Sequence, residues 1–116
     1  MTGPAEPADR HPAELVAARV LACPVVVSLS DGALAGGAGR QVATYLPGRR
    51  VVGVSWREDV CEVAVVLLLG DRSLLELAEQ VRQAVEPVAQ GRVVDVVVTD
   101  VVPGEAADPP FVPYET

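Results

Sequence analysis

Lysine, isoleucine and asparagine are absent from this chain, and aromatic residues nearly so: one Trp, one Phe and two Tyr in 116 residues. The three missing types have AT-rich codons, while Val, Ala, Gly, Arg and Pro abound. A GC-rich bacterial genome accounts for that bias better than selection for a function. Valine stands in for isoleucine, every basic charge is arginine, and the core must be built from Val, Leu and Ala. Histidine occurs once, at His11, in the polar, Pro-rich leader "MTGPAEPADRH". A lone His there reads as a solvated residue, so no Ser-His or Cys-His arrangement is on offer. Cys23 and Cys61 are too few for a disulfide framework and lack paired metal-ligand spacing. They read as two buried free thiols, with a Cys23–Cys61 bridge as the alternative.

Positive charge is also in deficit. Nine Arg against sixteen acidic residues give a formal net charge of −7 at pH 7. Such a chain repels phosphate backbones, which disfavours nucleic acid as a partner. It lacks the basic patch that would hold it directly on anionic lipid. The most apolar run, "VCEVAVVLLLG" from Val60 to Gly70, falls short of the roughly 20 residues that span a bilayer. "VLAC" at Val20 to Cys23 has the look of a lipoprotein cleavage site, but Glu14 and Arg19 interrupt the stretch before it. A cytoplasmic protein is expected.

The pattern along the chain divides it into a tail over 1–11, a domain over 12–102 and a Pro-rich C-terminal tail over 103–116. Pro12 suits the first turn of a helix that ends at Pro24, with Leu15, Ala18 and Ala22 on one stripe and Val16, Val20 and Cys23 beside it. "VVVSLS" alternates as a half-buried strand, Val25, Val27 and Leu29 against Val26, Ser28 and Ser30. "DGALAGGAG" lacks the Gly-Lys-Ser/Thr ending of a phosphate loop and reads as a hairpin connection. "RQVATYLPG" and "VVGVSWRE" read as one strand each, the second with Val52, Val54 and Trp56 facing in. Glu58, Asp59 and Glu62 around the next turn read as solvated carboxylates.

After the apolar run comes the best-marked helix. Ser73 and Glu76 form a capping-box pattern, Leu74, Leu77, Ala78, Val81, Ala84, Val85 and Val88 recur at helical spacing, Pro87 shortens the last turn, and Gly91 stops it. "VVDVVVTDVV" closes the domain as a strand, with Val94, Val96, Val98 and Val102 on one face and Val93, Asp95, Val97, Thr99 and Val101 on the other. Asp95 and Asp100 then point to opposite faces and form no carboxylate pair. The expected fold is α+β: a mostly antiparallel sheet of about four to five strands with two helices packed on one face, the last strand arriving by a crossover.

Over roughly residues 13 to 102 the chain resembles the alkaline shock protein family, the bacterial envelope stress response proteins. The resemblance rests on "YLPGRRVVGVSWREDVCEVAVVLLLGDRSLLELAEQVRQAVEPVAQGRVVDVVVTDV". Its landmarks are Gly53-Val54, the strand closing on Gly70, the Leu-Glu-Leu-Ala helix, the Gly91 stop and Asp100-Val101. Val97 stands where relatives usually carry Asn, and Pro87 interrupts a helix that is normally continuous, so the chain looks like a divergent member. The resemblance implies a non-catalytic cytoplasmic protein that self-associates and is gathered beneath the membrane by a membrane-embedded protein partner. It implies no catalytic residue, cofactor or metal.

The apolar run poses a problem of its own. Val63, Val65, Leu67 and Leu69 point one way, and Ala64, Val66 and Leu68 the other. If the helices cover the first set, then Ala64, Val66 and Leu68, joined by Val97 and Val101, form a candidate interaction surface. Its cover is a second copy, a different protein, or the C-terminal tail with Phe111 and Tyr114. The plain alternative is a small patch that merely reflects the valine excess. In function, a structural or adaptor module stands first and a small-ligand-binding or regulatory domain second.

Overall fold

Proline and histidine together start the first helix. Pro12 opens α1 (Pro12–Leu21), where its missing N–H removes a donor that has no intrahelical acceptor. In the computed structural model, which describes residues 10–32 and 41–103, the cap is His11. Its Nδ1 accepts the Ala13 N–H at 3.0 Å, and Glu14 Oε1 accepts the His11 N–H at 3.0 Å. His11 therefore belongs to the folded domain and not to a solvated tail. Histidine is an uncommon cap, so no sequence pattern announces it. The helix buries Ala13, Val16 and Val20, one stripe round from the expected one, and Ala18 and Ala22 are exposed.

Then follow β1 (Val26–Leu29), β2 (Ala43–Leu46), β3 (Arg49–Val52), β4 (Val54–Trp56), β5 (Val60–Leu69), α2 (Leu74–Val85), a 3-10 turn (Glu86–Val88) and β6 (Val93–Pro103). The fold is α+β. Strands β1, β4, β5 and β6 form one sheet, and β2 and β3 a separate hairpin. The long apolar run is the central strand. β6 runs parallel to it along its whole length, from Val60↔Val93 to Leu69↔Pro103. β1 and β4 share the other edge, both antiparallel, β1 against Val65 to Leu67 and β4 against Cys61 to Val63. Parallel neighbours need a long crossover, and α2 supplies it.

The second helix forms as its sequence dictates. Ser73 Oγ accepts the Glu76 N–H and Glu76 Oε1 accepts the Ser73 N–H, both at 3.1 Å. Regular α-helix ends at Val85, and Pro87 sits in the 3-10 turn, since it cannot donate to a fourth-residue carbonyl. Gly91, at φ +82°, takes the left-handed conformation beyond the end.

One hydrophobic cluster joins these elements. Ala13, Val16 and Val20 of α1 and Leu77, Val81 and Val85 of α2 pack with Cys61, Val63, Val65 and Leu67 of β5, with Val54 and Val94 beside them. Leu69, at the end of β5, lies outside the cluster and is exposed.

Three irregularities redirect side chains that simple alternation assigns wrongly. Gly53 splits "VVGVSWRE" into β3 and β4. Its φ is +89°, and a Cβ there would sit 2.7 Å from Leu29 Cβ. Its N–H donates to Val42 O at 2.8 Å and its carbonyl accepts the Ala64 N–H at 2.9 Å, which ties the hairpin to the sheet. Val51, and not Val52, consequently joins the core cluster. In β1 the register slips between Val26 and Ser28, so Val26 and Leu29 pack on the core while Val27 is exposed. In β6 it slips again, because Val98 pairs with Val65 but Asp100 with Val66. Thr99 is the extra residue, and its hydroxyl donates to Val65 O at 3.2 Å. A bulge of one residue exchanges the faces of everything after it.

Candidate interaction surface

Alternation along β5 sets Glu62, Ala64, Val66 and Leu68 on the side away from the core set. Register supplies their neighbours. Ser55 and Asp95 flank Glu62, Val97 pairs with Ala64, Ser28 and Asp100 flank Val66, and Val102 pairs with Leu68. Exposure is graded along this row. Ala64 is fully buried, Val66 is half-buried and Leu68 is 38% exposed. Val97 and Val102 are half-buried.

Two expectations change. Val101 does not join this side: beyond the Thr99 bulge it pairs with Leu67 and packs on the core, and Val102 takes its place. Ala64 adds no accessible area of its own. The same bulge puts Asp95 and Asp100 on one side of the sheet, opposite Glu62 and Val66. Four residues of β5 separate those rows, about 13 Å at strand rise, so the two carboxylates still form no pair. Phe111 and Tyr114 lie outside the described residues.

The other end of β5 is polar. Glu62 is a buried carboxylate, 6% exposed, and accepts from Arg57 Nη2 at 3.2 Å. The expectation of a solvated Glu62 failed because a turn residue was counted where the strand had already begun. Arg92 lies over the Trp56 ring at 4.0 Å and donates from Nε to Arg57 O at 2.6 Å. The His11 ring meets Trp56 edge-on, 6.3 Å between centroids. Beside this cluster Arg49 Nε donates to Glu14 Oε2 at 2.6 Å, which pins the β2–β3 hairpin to α1. That bond, then the His11 N–H, holds the Glu14 carboxyl down to about 2.

Both cysteines are free thiols. Burial raises the Cys23 thiol and pushes Cys61 up to about 11, which keeps each protonated and a poor nucleophile. Among the described residues no cluster of His, Cys, Asp and Glu has the makings of a metal site, and no helix is long and apolar enough to cross a membrane.

Sequence reasoning missed the outer side of α2. Leu75 is 79% exposed, the most exposed large apolar residue described, and Leu74 beside it is also exposed. The signal was present in the sequence. Leu75 falls off the stripe that carries Leu77, Val81 and Val85, next to Arg72, Glu76 and Glu79. Comparison with protein-family models, with curated proteins and with solved structures finds no match to this chain.

Proposed function

We propose that this protein is a non-catalytic structural or adaptor module of the envelope stress type, working through self-association and through docking of a protein partner on the outer side of its sheet. Buried residues of both helices share one cluster with Cys61, Val63, Val65 and Leu67 of β5. The other side carries Val66, Leu68, Val97 and Val102, with Leu68 38% exposed in the single chain, and that row supports the reading. Full burial of an exposed Val or Leu is worth about 1.5–3 kcal/mol; these four are already partly covered in the single chain, and each adds a fraction of that when a second surface covers it. Asp95 at one end of the row and Asp100 beside Val66 within it restrict which register another molecule can take. The resemblance to envelope stress response proteins points the same way, toward a cytoplasmic module recruited beneath the membrane by an embedded partner.

Light scattering on the wild type and on Leu68→Arg tests this. The reading expects an assembly heavier than the 12.1 kDa chain that becomes lighter with the substitution while the fold is kept. A strict monomer, with Leu68→Arg indistinguishable from it, contradicts it.

A further inference from the structure

His11 is the chain's one histidine, and it holds the start of α1 in its neutral form. Nδ1 accepts the Ala13 N–H at 3.0 Å, so that nitrogen carries no hydrogen and the ring proton sits on Nε2. The His11 carbonyl accepts the Glu14 N–H at 2.8 Å, and Glu14 Oε1 accepts the His11 N–H at 3.0 Å. The ring stands edge-on to Trp56 of β4. One residue therefore joins the edge of the sheet to a helical turn whose Ala13 and Val16 are fully buried.

A proton on Nδ1 ends this arrangement. The doubly protonated ring only donates, so the Ala13 N–H loses its acceptor. The new positive charge also lies at a helix N-terminus, where the backbone dipoles favour negative charge. Its charged neighbours do not offset this. Glu14 of α1 attracts the imidazolium, but that carboxylate already binds Arg49 of β3 at 2.6 and 3.1 Å. Arg10 precedes His11 in the chain, and Arg92, just before β6, lies over the same Trp56 ring at 4.0 Å. Arg57, after β4, is paired with Glu62, and Glu86 of the 3-10 turn is paired with Arg82. We infer that His11 is a proton-sensitive latch: neutral, it closes the first turn of α1 on the core, and protonated, it lets that turn open. The latch is closed above neutral pH and opens as pH falls through the imidazole range, between about pH 8 and pH 5. Glu14 titrates at about 2 and the buried Cys61 thiol at about 11, so neither drives a change in that window, and the Arg49–Glu14 tie stays made through it. The latch needs neither the outer side of the sheet nor self-association.

Amide exchange read by NMR at about pH 8 and about pH 5, with each amide's intrinsic rate divided out, tests it. Protection of Ala13, Glu14 and Leu15 should fall about fivefold at the lower pH, the worth of one helix cap. Val81 and Val85 of α2 should keep theirs. His11→Asn supplies a capping side chain that does not titrate, and should hold first-turn protection steady across the range. The chain has one Trp, so its fluorescence gives an independent reading. In the wild type it should change with a single midpoint between about pH 5 and pH 8, and in His11→Asn it should stay flat. Protection and fluorescence that change together in the wild type and not in His11→Asn support the latch. A wild-type first turn equally protected at both pH values overturns it, and so does the same loss in His11→Asn. A loss spread equally over α1 and α2 is global unfolding and overturns a local latch.

Discussion

The two sides of β5 both carry valine and leucine and live in different surroundings. Cys61, Val63, Val65 and Leu67 are completely buried in the cluster that joins both helices. Glu62, Ala64, Val66 and Leu68 run from buried to exposed along the same strand. Composition therefore does not separate core from surface in a valine-rich chain. Helix positions and pairing register do, which gives Leu67 and Leu68, adjacent in sequence, different roles.

Truncating each side is the strongest way to break this contrast. Leu67→Ala leaves a cavity in the cluster and should cost about 3 kcal/mol of stability in chemical denaturation, within the usual 2–5. Leu68→Ala should cost less than about 1 kcal/mol in the isolated chain, because its partial exposure leaves little to lose. Equal losses would erase the distinction between the sides.

Gly53 sharpens it, since the join of β1, β4 and the hairpin decides which residues reach each side. Gly53→Ala forces a Cβ against Leu29 at positive φ and should cost about 2 kcal/mol, read from the same denaturation curves. A smaller effect is expected at the helix start. His11→Ala removes the acceptor of the Ala13 N–H and should cost about 1 kcal/mol, accompanied by faster amide exchange in the first turn of α1.

The smallest effect concerns the exposed Arg49–Glu14 tie. Glu14 titrates at about 2, below its ordinary 4.5, so the tie is fully present above pH 4.5 and is lost as pH falls through about 2. A carboxyl titration by NMR should place its midpoint near 2. Salt at about 1 M should move it back toward the ordinary value, because exposed pairs are screened.

Some of this was legible in the sequence and some was not, for definite reasons. Ser73 and Glu76, the Pro87 break and the Gly91 stop each have one local cause, and the helix they bound forms where the pattern places it. The parallel pairing of the last strand follows from its position after a crossover helix. The faces of β1 and β6 did not follow, because the residue added at Val27 and at Thr99 shifts the alternation by one and nothing in "VVVSLS" or "VVDVVVTDVV" marks it. Val101 was lost from the candidate surface, and Val102 gained, for that reason alone. Leu75 was visible as an apolar residue off the stripe of Leu77, Val81 and Val85, and it is exposed there.

Hydroxyl-radical footprinting at low and high protein concentration most directly tests whether the outer side of the sheet is an interface. Oxidation of Val66, Leu68, Val97 and Val102 should fall as concentration rises, while Leu21 of α1 and Tyr45 of the β2–β3 hairpin, both exposed, stay constant. Unchanged oxidation of the four across the whole range would show that side permanently wet, and would contradict a docking role for it.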